Sequence, residues 1–463
     1  MKILIGVPLA ICLVTTSCEK TKEPKVSADQ PNPAAPIADM AQTEVPDPCL
    51  LVLAPHHGDG KIDREIIRYQ AKISADQNTF QSLENLGWLF VAKARESFDP
   101  GYYKLAEQCA YCLDSRQPHC AEALLLRGHV LQNLHKFKEA EPLARELVAK
   151  RGRSFDYGLL GDVLMEQGRL DEAADAYQKM VDLKPDLQAY ARIAHYRWLK
   201  GDLAAATELM QQAVSAASPN APESAAWVNT RLALLQFQAG DLSQAGETCA
   251  AALDFQTNYA PALLLRGRLL LADGKPTEAV EALTRAEQIN PLPDYQWVLA
   301  EALHADGRAE EASGVEASLK KTGASADPRT YALYLSTQGE ASPTALVLAY
   351  DELNTRSDVF THDALAWALA ANGKPAEAYQ EMQKALAEGT QDARLFFHAT
   401  VIASKSGHAE EAAQWLGKTA GMLPLLLPSE QKQFQETALQ LGQTENEDPA
   451  TETKTTAFST LDK

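Results

Sequence analysis

The chain has 463 residues, is 46 % hydrophobic, and carries 43 basic against 62 acidic side chains, a net charge of −19. That composition is ample for a folded core and excludes a mostly disordered chain, while the acidic excess argues against nucleic-acid binding through phosphate neutralisation. Aromatics are only 7 %, alanine and leucine dominate and β-branched runs are scarce, which favours helix throughout.

Met1-Lys2 supplies a positive charge, Ile3 to Val14 is an apolar run, and Thr15-Thr16-Ser17-Cys18 follows. The run is too short for a permanent bilayer span and has the layout of a secretory signal peptide. Small residues directly before a cysteine resemble a bacterial lipoprotein signal. The resemblance implies that residues 1–17 are removed and that Cys18 is lipidated as the mature N-terminus, although Thr15 stands where that family usually has leucine. In a Gram-negative cell, Glu19 after the cysteine resembles lipoproteins sent to the outer membrane, which would place the chain on its periplasmic face. Residues 18–48 are rich in proline and lack an apolar period. They read as a flexible tether with a mean reach of about 30 Å.

Residues 49–77 form a separate N-terminal segment. Leu51-Val52-Leu53 suits a short strand or docking segment, and Ile62 to Ile73 a capping helix. Gly58-Asp59-Gly60-Lys61-Ile62-Asp63 resembles the middle of an EF-hand or dockerin calcium loop. The ligand places hold Pro55, His57 and Ile66, however, so the stretch is a Gly-Asp turn. His56 and His57 are adjacent, point in different directions and belong to a solvated loop.

From Asn78 a small residue returns on a fixed beat: Ala106, Ala140, Ala173, Ala206, Ala245, Ala279, Ala312, Thr344, Ala378 and Ala412, mostly 32 to 34 residues apart. Five residues before eight of these stands a glycine, from Gly168 to Gly407, suited to a left-handed helix end. Twelve residues before stands a second small residue, such as Gly161, Ala194 or Gly267. Together with Tyr177 and the helix-ending Pro185, this pattern resembles the tetratricopeptide repeat, a helix–turn–helix unit of about 34 residues. The resemblance implies an all-α fold, a right-handed superhelical solenoid of about ten repeats over residues 78–427. First helices would line a concave groove, winding somewhat more than one turn without a deep pocket. The spacing in the first unit predicts a loop or longer turn over Arg95–Tyr102. In the eighth unit Thr344, Ala345 and Leu346 compete for the small place. Residues 428–441 predict a helix capping the exposed end, and residues 442–463 a disordered polar tail.

Residue types for catalysis are not assembled: the chain has no Gly-rich phosphate loop, no HExxH and no GxSxG, so a non-catalytic protein without cofactor or metal is expected. Cys109 and Cys112 have the spacing of a thiol redox pair or half a zinc site, but they fall mid-helix, where no helix-start dipole lowers a thiol pKa. They are alternatively buried core thiols, or Cys112 and Cys120 form a disulfide. Cys249 holds a core place and Cys49 has no evident partner. First-helix aromatics Trp88, Phe155, Trp198, Trp227, Phe237, Trp297 and Trp367 are the candidate partner groove, with packing between helices as the alternative. The chaperone-tail clamp of lysines, arginine and asparagines is absent, since Glu84, Asp162, Glu301 and Asp363 stand on those helices. By resemblance the chain is a membrane-anchored scaffold that recruits protein partners. The alternatives are a thiol or metal protein built on Cys109 and Cys112, and a polysaccharide or peptidoglycan binder using the aromatics.

Overall fold

The computed structural model describes residues 47–76, 80–339 and 342–447. The signal peptide, Cys18, nearly all of the tether and the end of the tail lie outside them. Among the described residues the regular structure is 23 α-helices and one 3-10 turn. They divide into two compact units between residues 130 and 131, inside α5 (Ala121–Asn133).

The first unit opens with α1 (Pro48–Leu51), α2 (Lys61–Ala75), α3 (Phe80–Ser97) and α4 (Gly101–Arg116). The stretch expected as a strand or docking segment begins instead as a single helical turn. Asp47 accepts a hydrogen bond from the Cys49 amide at 2.9 Å, and Pro48 occupies the first helical position, where its missing donor costs nothing. Gln70 on α2 donates to the Val52 and Ala54 carbonyls, at 2.9 and 2.8 Å, and so holds this segment. The extra length of the first repeat lies in α3, which runs to Ser97 before the chain turns at Phe98 with φ 55°.

In the second unit α6 (Phe137–Lys150) precedes eight helix pairs. These are α7 (Ser154–Glu166) with α8 (Leu170–Leu183), α9 (Leu187–Leu199) with α10 (Leu203–Ser215), α11 (Pro222–Gln238) with α12 (Leu242–Phe255), and α13 (Ala260–Ala272) with α14 (Pro276–Ile289). They continue with α15 (Pro293–Ala305) and α16 (Ala309–Ala326), α17 (Pro328–Thr337) and α18 (Pro343–Thr355), α19 (Val359–Ala371) and α20 (Pro375–Leu386), and α21 (Ala393–Lys405) and α22 (Ala409–Ala420). Each pair packs internally and against the next, because one pair cannot bury its apolar face alone. The small residues stand where helices touch: a side chain on Gly161 would collide with the Tyr177 ring. In the eighth unit Ala345 is fully buried and Thr344 exposed. The beat there therefore falls on Ala345, 33 residues from each neighbour. Asp186, Asp202, Asp241, Asp358 and Asp392 cap helix starts through their side chains, and proline opens α11, α14, α15, α17, α18 and α20.

This second unit winds far enough to meet itself. The ends of α7, α9 and α11 dock on the starts of α19 and α21, 154 to 191 residues further along. The Ser357 amide donates to the Glu166 carbonyl at 3.0 Å and its hydroxyl to the Gln167 carbonyl at 2.9 Å. Thr390 donates to the Leu199 carbonyl (2.6 Å), Gln391 to the Gly201 carbonyl (2.7 Å), and the Gln238 side chain to Asp392 (2.6 Å). Gly168 and Gly201 are required here twice over. Both have positive φ, 73° and 79°, and a methyl on either would run into a backbone carbonyl across the seam, that of Ser357 or Gly389.

A 3-10 turn (Leu423–Leu425) leads into α23 (Pro428–Glu447). This helix reaches beyond the last pair: Ser429 bonds Glu301 on α15, Gln433 donates to the Thr337 carbonyl of α17, and Arg394 on α21 pairs with Glu430 at 2.6 Å. It therefore lies along first helices instead of only capping the end, with its own Phe434 and the preceding Leu425, Leu426 and Leu427 buried. It also continues to Glu447, so residues 442–447, expected in the disordered tail, are helical.

Candidate interaction surface

Five of the seven groove aromatics are core residues. Trp88, Trp198, Phe237, Trp297 and Trp367 are buried, whereas Phe155 and Trp227 are partly exposed. The buried indoles are satisfied inside the chain. Trp198 donates to the Gln391 carbonyl across the seam at 2.8 Å, Trp297 to Glu301 at 3.1 Å, and Trp367 to the Thr337 hydroxyl at 3.0 Å. The Trp198 ring packs on Phe360 and that of Trp367 stacks on His398, with centroids 5.5 and 4.1 Å apart. For Trp198 the physical reason is closure of the superhelical turn, whereas Trp88 and Trp367 pack against neighbouring helices of their own stretch, on His129 and on Phe397 and His398.

The acidic residues of the concave side are likewise engaged. Asp162 accepts two hydrogen bonds from Arg192, both 2.8 Å, one from the Tyr177 hydroxyl at 2.9 Å and one from Gln132 at 3.0 Å. Asp363 meets His398 Nδ1 at 2.8 Å, and Glu301 is held by Trp297 and Ser429. At the seam Arg329 pairs with Asp358 at 3.1 Å, and Arg356 with Glu352 at 2.7 Å, while Glu166 lies 3.9 Å from Arg356. Burial, and then the charge of Asp358, push the Glu166 carboxyl up to about 7. Burial opposes ionisation of Asp358 too, but Arg329 and Arg356 outweigh it and hold that carboxyl low. Burial and the same two arginines keep the His135 imidazole well below its usual range. A cavity of about 110 Å3 lies in this seam, bounded by Gly168, Ser357, Asp358, His362, Lys384 and Glu388.

Among the described residues, Arg231 is a cationic group for which no carboxylate ion pair is formed. Arg231 on α11 donates from Nη2 to His195 Nδ1 on α9, 2.8 Å away. Because arginine only donates, the imidazole must accept at Nδ1 and carry its proton on Nε2. Burial, then the adjacent guanidinium, push His195 down to about 3, so it is neutral. These two residues, with Asp162, Met165, Arg192 and Trp227, bound a cavity of about 30 Å3, room for about one water molecule. Sequence reasoning missed the pair. The available signal was Arg192 and Arg231 each standing two residues before the small residue of a first helix, on a face that is otherwise apolar.

The cysteines pair differently from the expected Cys112–Cys120 bond. Cys112 is joined to Cys49, their Cα atoms 5.1 Å apart, and Cys109, Cys120 and Cys249 are free and buried. The residue for which the sequence offered no partner is thus the partner, because the turn at Pro48 brings α1 onto α4. Burial raises the Cys109 and Cys120 thiols, and that of Cys249 to about 12. They are therefore protonated and poor nucleophiles. In the Gly-Asp turn, Asp63 is occupied by Lys93 at 2.9 Å, His56 at 2.7 Å and the Gly60 amide at 3.1 Å. Among the described residues no group of three or more metal-ligating side chains converges.

Residues 125–188 and 264–326 match one tetratricopeptide repeat family model, and residues 359–384 a second. Comparison with curated protein sequences gives no match. Among solved structures the chain is similar to PilF of Pseudomonas aeruginosa, at 15 % identity over 45 % of this chain and 93 % of that one, with a TM-score of 0.38. It is similar to PilW, a type IV pilus biogenesis factor, at 14 % identity over 43 % and 92 %, with a TM-score of 0.37. It is also similar to YrrB, described as having an unusual peptide-binding site, at 16 % identity over 43 % and 97 %, with a TM-score of 0.29.

Proposed function

We propose that this chain, a stack of helix pairs with residues 125–188, 264–326 and 359–384 similar to tetratricopeptide repeats, is a membrane-tethered protein-interaction scaffold of the bacterial cell envelope, without catalysis. The observation that carries this reading is the stack of consecutive helix pairs, a fold that typically binds other chains and does no chemistry. Export is supported by the Cys49–Cys112 bond, since disulfides persist in oxidising compartments. The signal-like N-terminus and Cys18 supply the tether, on the periplasmic face of the outer membrane in a Gram-negative cell. The thiol alternative loses support because Cys112 is bonded to Cys49, outside the CxxC pair, and Cys109 is buried and protonated. A glycan platform needs exposed ring faces, and most of the aromatics proposed for it are in the core.

Replacing Cys18 by serine is expected to move the protein from the membrane to the soluble fraction; retention on membranes refutes the anchor. Crosslinking of the intact protein in its native cell is expected to yield a discrete protein adduct. A chain that crosslinks to no protein refutes the scaffold.

A further inference from the structure

We propose that the outward face of α2, in the first unit, is a docking surface for a bilayer containing anionic phospholipid headgroups. This rests on the tethered reading above and adds a second membrane contact, made by the fold itself.

The surface follows from the helical period. Lys61, Arg64, Arg68 and Lys72 stand three, four and four residues apart, so they fall on one narrow side of the helix, along about 16 Å of its length. All four are exposed. The opposite side is core: Ile66, Gln70 and Ile73 are buried, and Asp63 is buried and held by Lys93 and His56. Ile67, 41 % exposed, and Ala71 form an apolar edge along the stripe. Within the helix Glu65 is the one carboxylate left to offset these cations, and it pairs with Arg68 at 2.6 Å. Arg64 donates to the Asp59 carbonyl, which leaves its charge uncompensated. Among the described residues, Lys61, Arg64 and Lys72 form no ion pair.

Charge and the tether identify the occupant. The chain as a whole carries −19, and an acidic body is repelled by an anionic surface. Screening decides which charges count. At physiological salt the Debye length is about 8 Å, so most acidic residues are out of range of a surface that α2 touches, and the stripe dominates. Each lysine or arginine close to an anionic leaflet is worth a factor of about five in binding. The tether read over residues 18–48 has a mean reach of about 30 Å, and α2 follows it after one short helix and a turn. Docking is then an intramolecular step at high effective concentration, for which a weak contact suffices. The long lysine and arginine stems carry their charges to the headgroups while Ile67 beds at the interface. An extended row of cations with an apolar edge matches a surface of many anions, not one small ligand.

The test keeps the lipid anchor and asks whether α2 meets the bilayer. Ala71→Cys in the full-length lipidated chain takes a fluorophore at the edge of the stripe. Cys109, Cys120 and Cys249 are buried and Cys49 and Cys112 are bonded to each other, so the label goes to residue 71. The chain is reconstituted with vesicles of phosphatidylethanolamine and phosphatidylglycerol, or of phosphatidylcholine, each carrying a headgroup spin label as quencher. Quenching is expected to report at least about tenfold more docked chain on the anionic vesicles, and to be lost at about 1 M salt, where the Debye length falls to about 3 Å. Lys61→Gln with Arg64→Gln and Lys72→Gln deletes the three charges outside ion pairs and is expected to lower the docked-to-free ratio about a hundredfold. Equal quenching on both vesicles, or unchanged quenching in the triple variant, overturns the docking surface. So does a chain unquenched on anionic vesicles that crosslinks through α2 to an acidic protein in cells, because the stripe is then a protein interface. Flotation separates this inference from the anchor. A chain that floats with phosphatidylcholine vesicles yet stays unquenched on anionic ones keeps the anchor and loses the docking surface. One that floats with anionic vesicles alone loses the anchor and keeps the docking surface, and one that floats with neither loses both.

Discussion

The closed seam predicts that two glycines of identical repeat position respond differently to the same substitution. Gly307→Ala forces a residue with a side chain to hold φ 78° in open space, since nothing lies within 4 Å of the added methyl; the cost is about 1–2 kcal/mol. Gly168→Ala pays the same backbone cost and also drives the methyl against the Ser357 carbonyl. Relief of that clash separates α7 from the start of α19 and breaks the Ser357 amide and hydroxyl bonds, each worth about 1 kcal/mol net. The seam should therefore open more easily by about 2 kcal/mol, or roughly 30-fold in the opening equilibrium. Hydrogen-exchange mass spectrometry on the full-length protein reads this directly. Peptides containing Ser357 should exchange faster in Gly168→Ala and at the wild-type rate in Gly307→Ala. Equal exchange in the two variants would refute the closed turn.

Two further predictions use the same structure. The Cys49–Cys112 bond spans 63 residues, for which loop-closure entropy gives about 4 kcal/mol of stabilisation. Reduction, or Cys49→Ala with Cys112→Ala, should lower the denaturation midpoint of the first unit accordingly; a Cys112–Cys120 linked fragment in non-reducing peptide mapping would sink the assignment. Glu166 titrates near 7 in the fold against 4.5 as its reference, so the native state keeps its proton while the unfolded chain loses one. Its contribution is therefore a loss of stability as pH rises from about 4.5, complete above about 7, and on the order of 3 kcal/mol. Glu166→Gln should flatten the difference between denaturation midpoints at pH 5 and pH 8, and parallel pH profiles for variant and wild type would contradict the burial argument.

Much of the array was legible because its determinants are local. Gly161 reports the approach of Tyr177 sixteen residues away, and the turn glycines report left-handed backbone in their own unit. The eighth unit was ambiguous because three candidate residues are small or apolar, and only burial distinguishes Ala345 from Thr344. The cysteine pairing was not legible: Cys49 finds Cys112 through the docking of a one-turn helix, which no periodicity announces. Of the groove aromatics, Trp88, Trp198, Phe237, Trp297 and Trp367 took the alternative of packing in the core while Phe155 and Trp227 stay partly exposed, and a tryptophan for a partner and one for the core look alike in sequence.

The residues alone dictated what each repeat is: a pair of helices, stopped by glycine or proline, with a small side chain where the two cross, because these depend on contacts within one unit and its neighbour. Tertiary structure decided where the stack closes on itself. Contacts between residues about 190 apart, such as Thr390 with Leu199, follow from the sum of small rotations between successive pairs, and no single stretch of sequence encodes that sum. Closure then turned Trp198 into seam packing and brought Glu166 within 3.9 Å of Arg356.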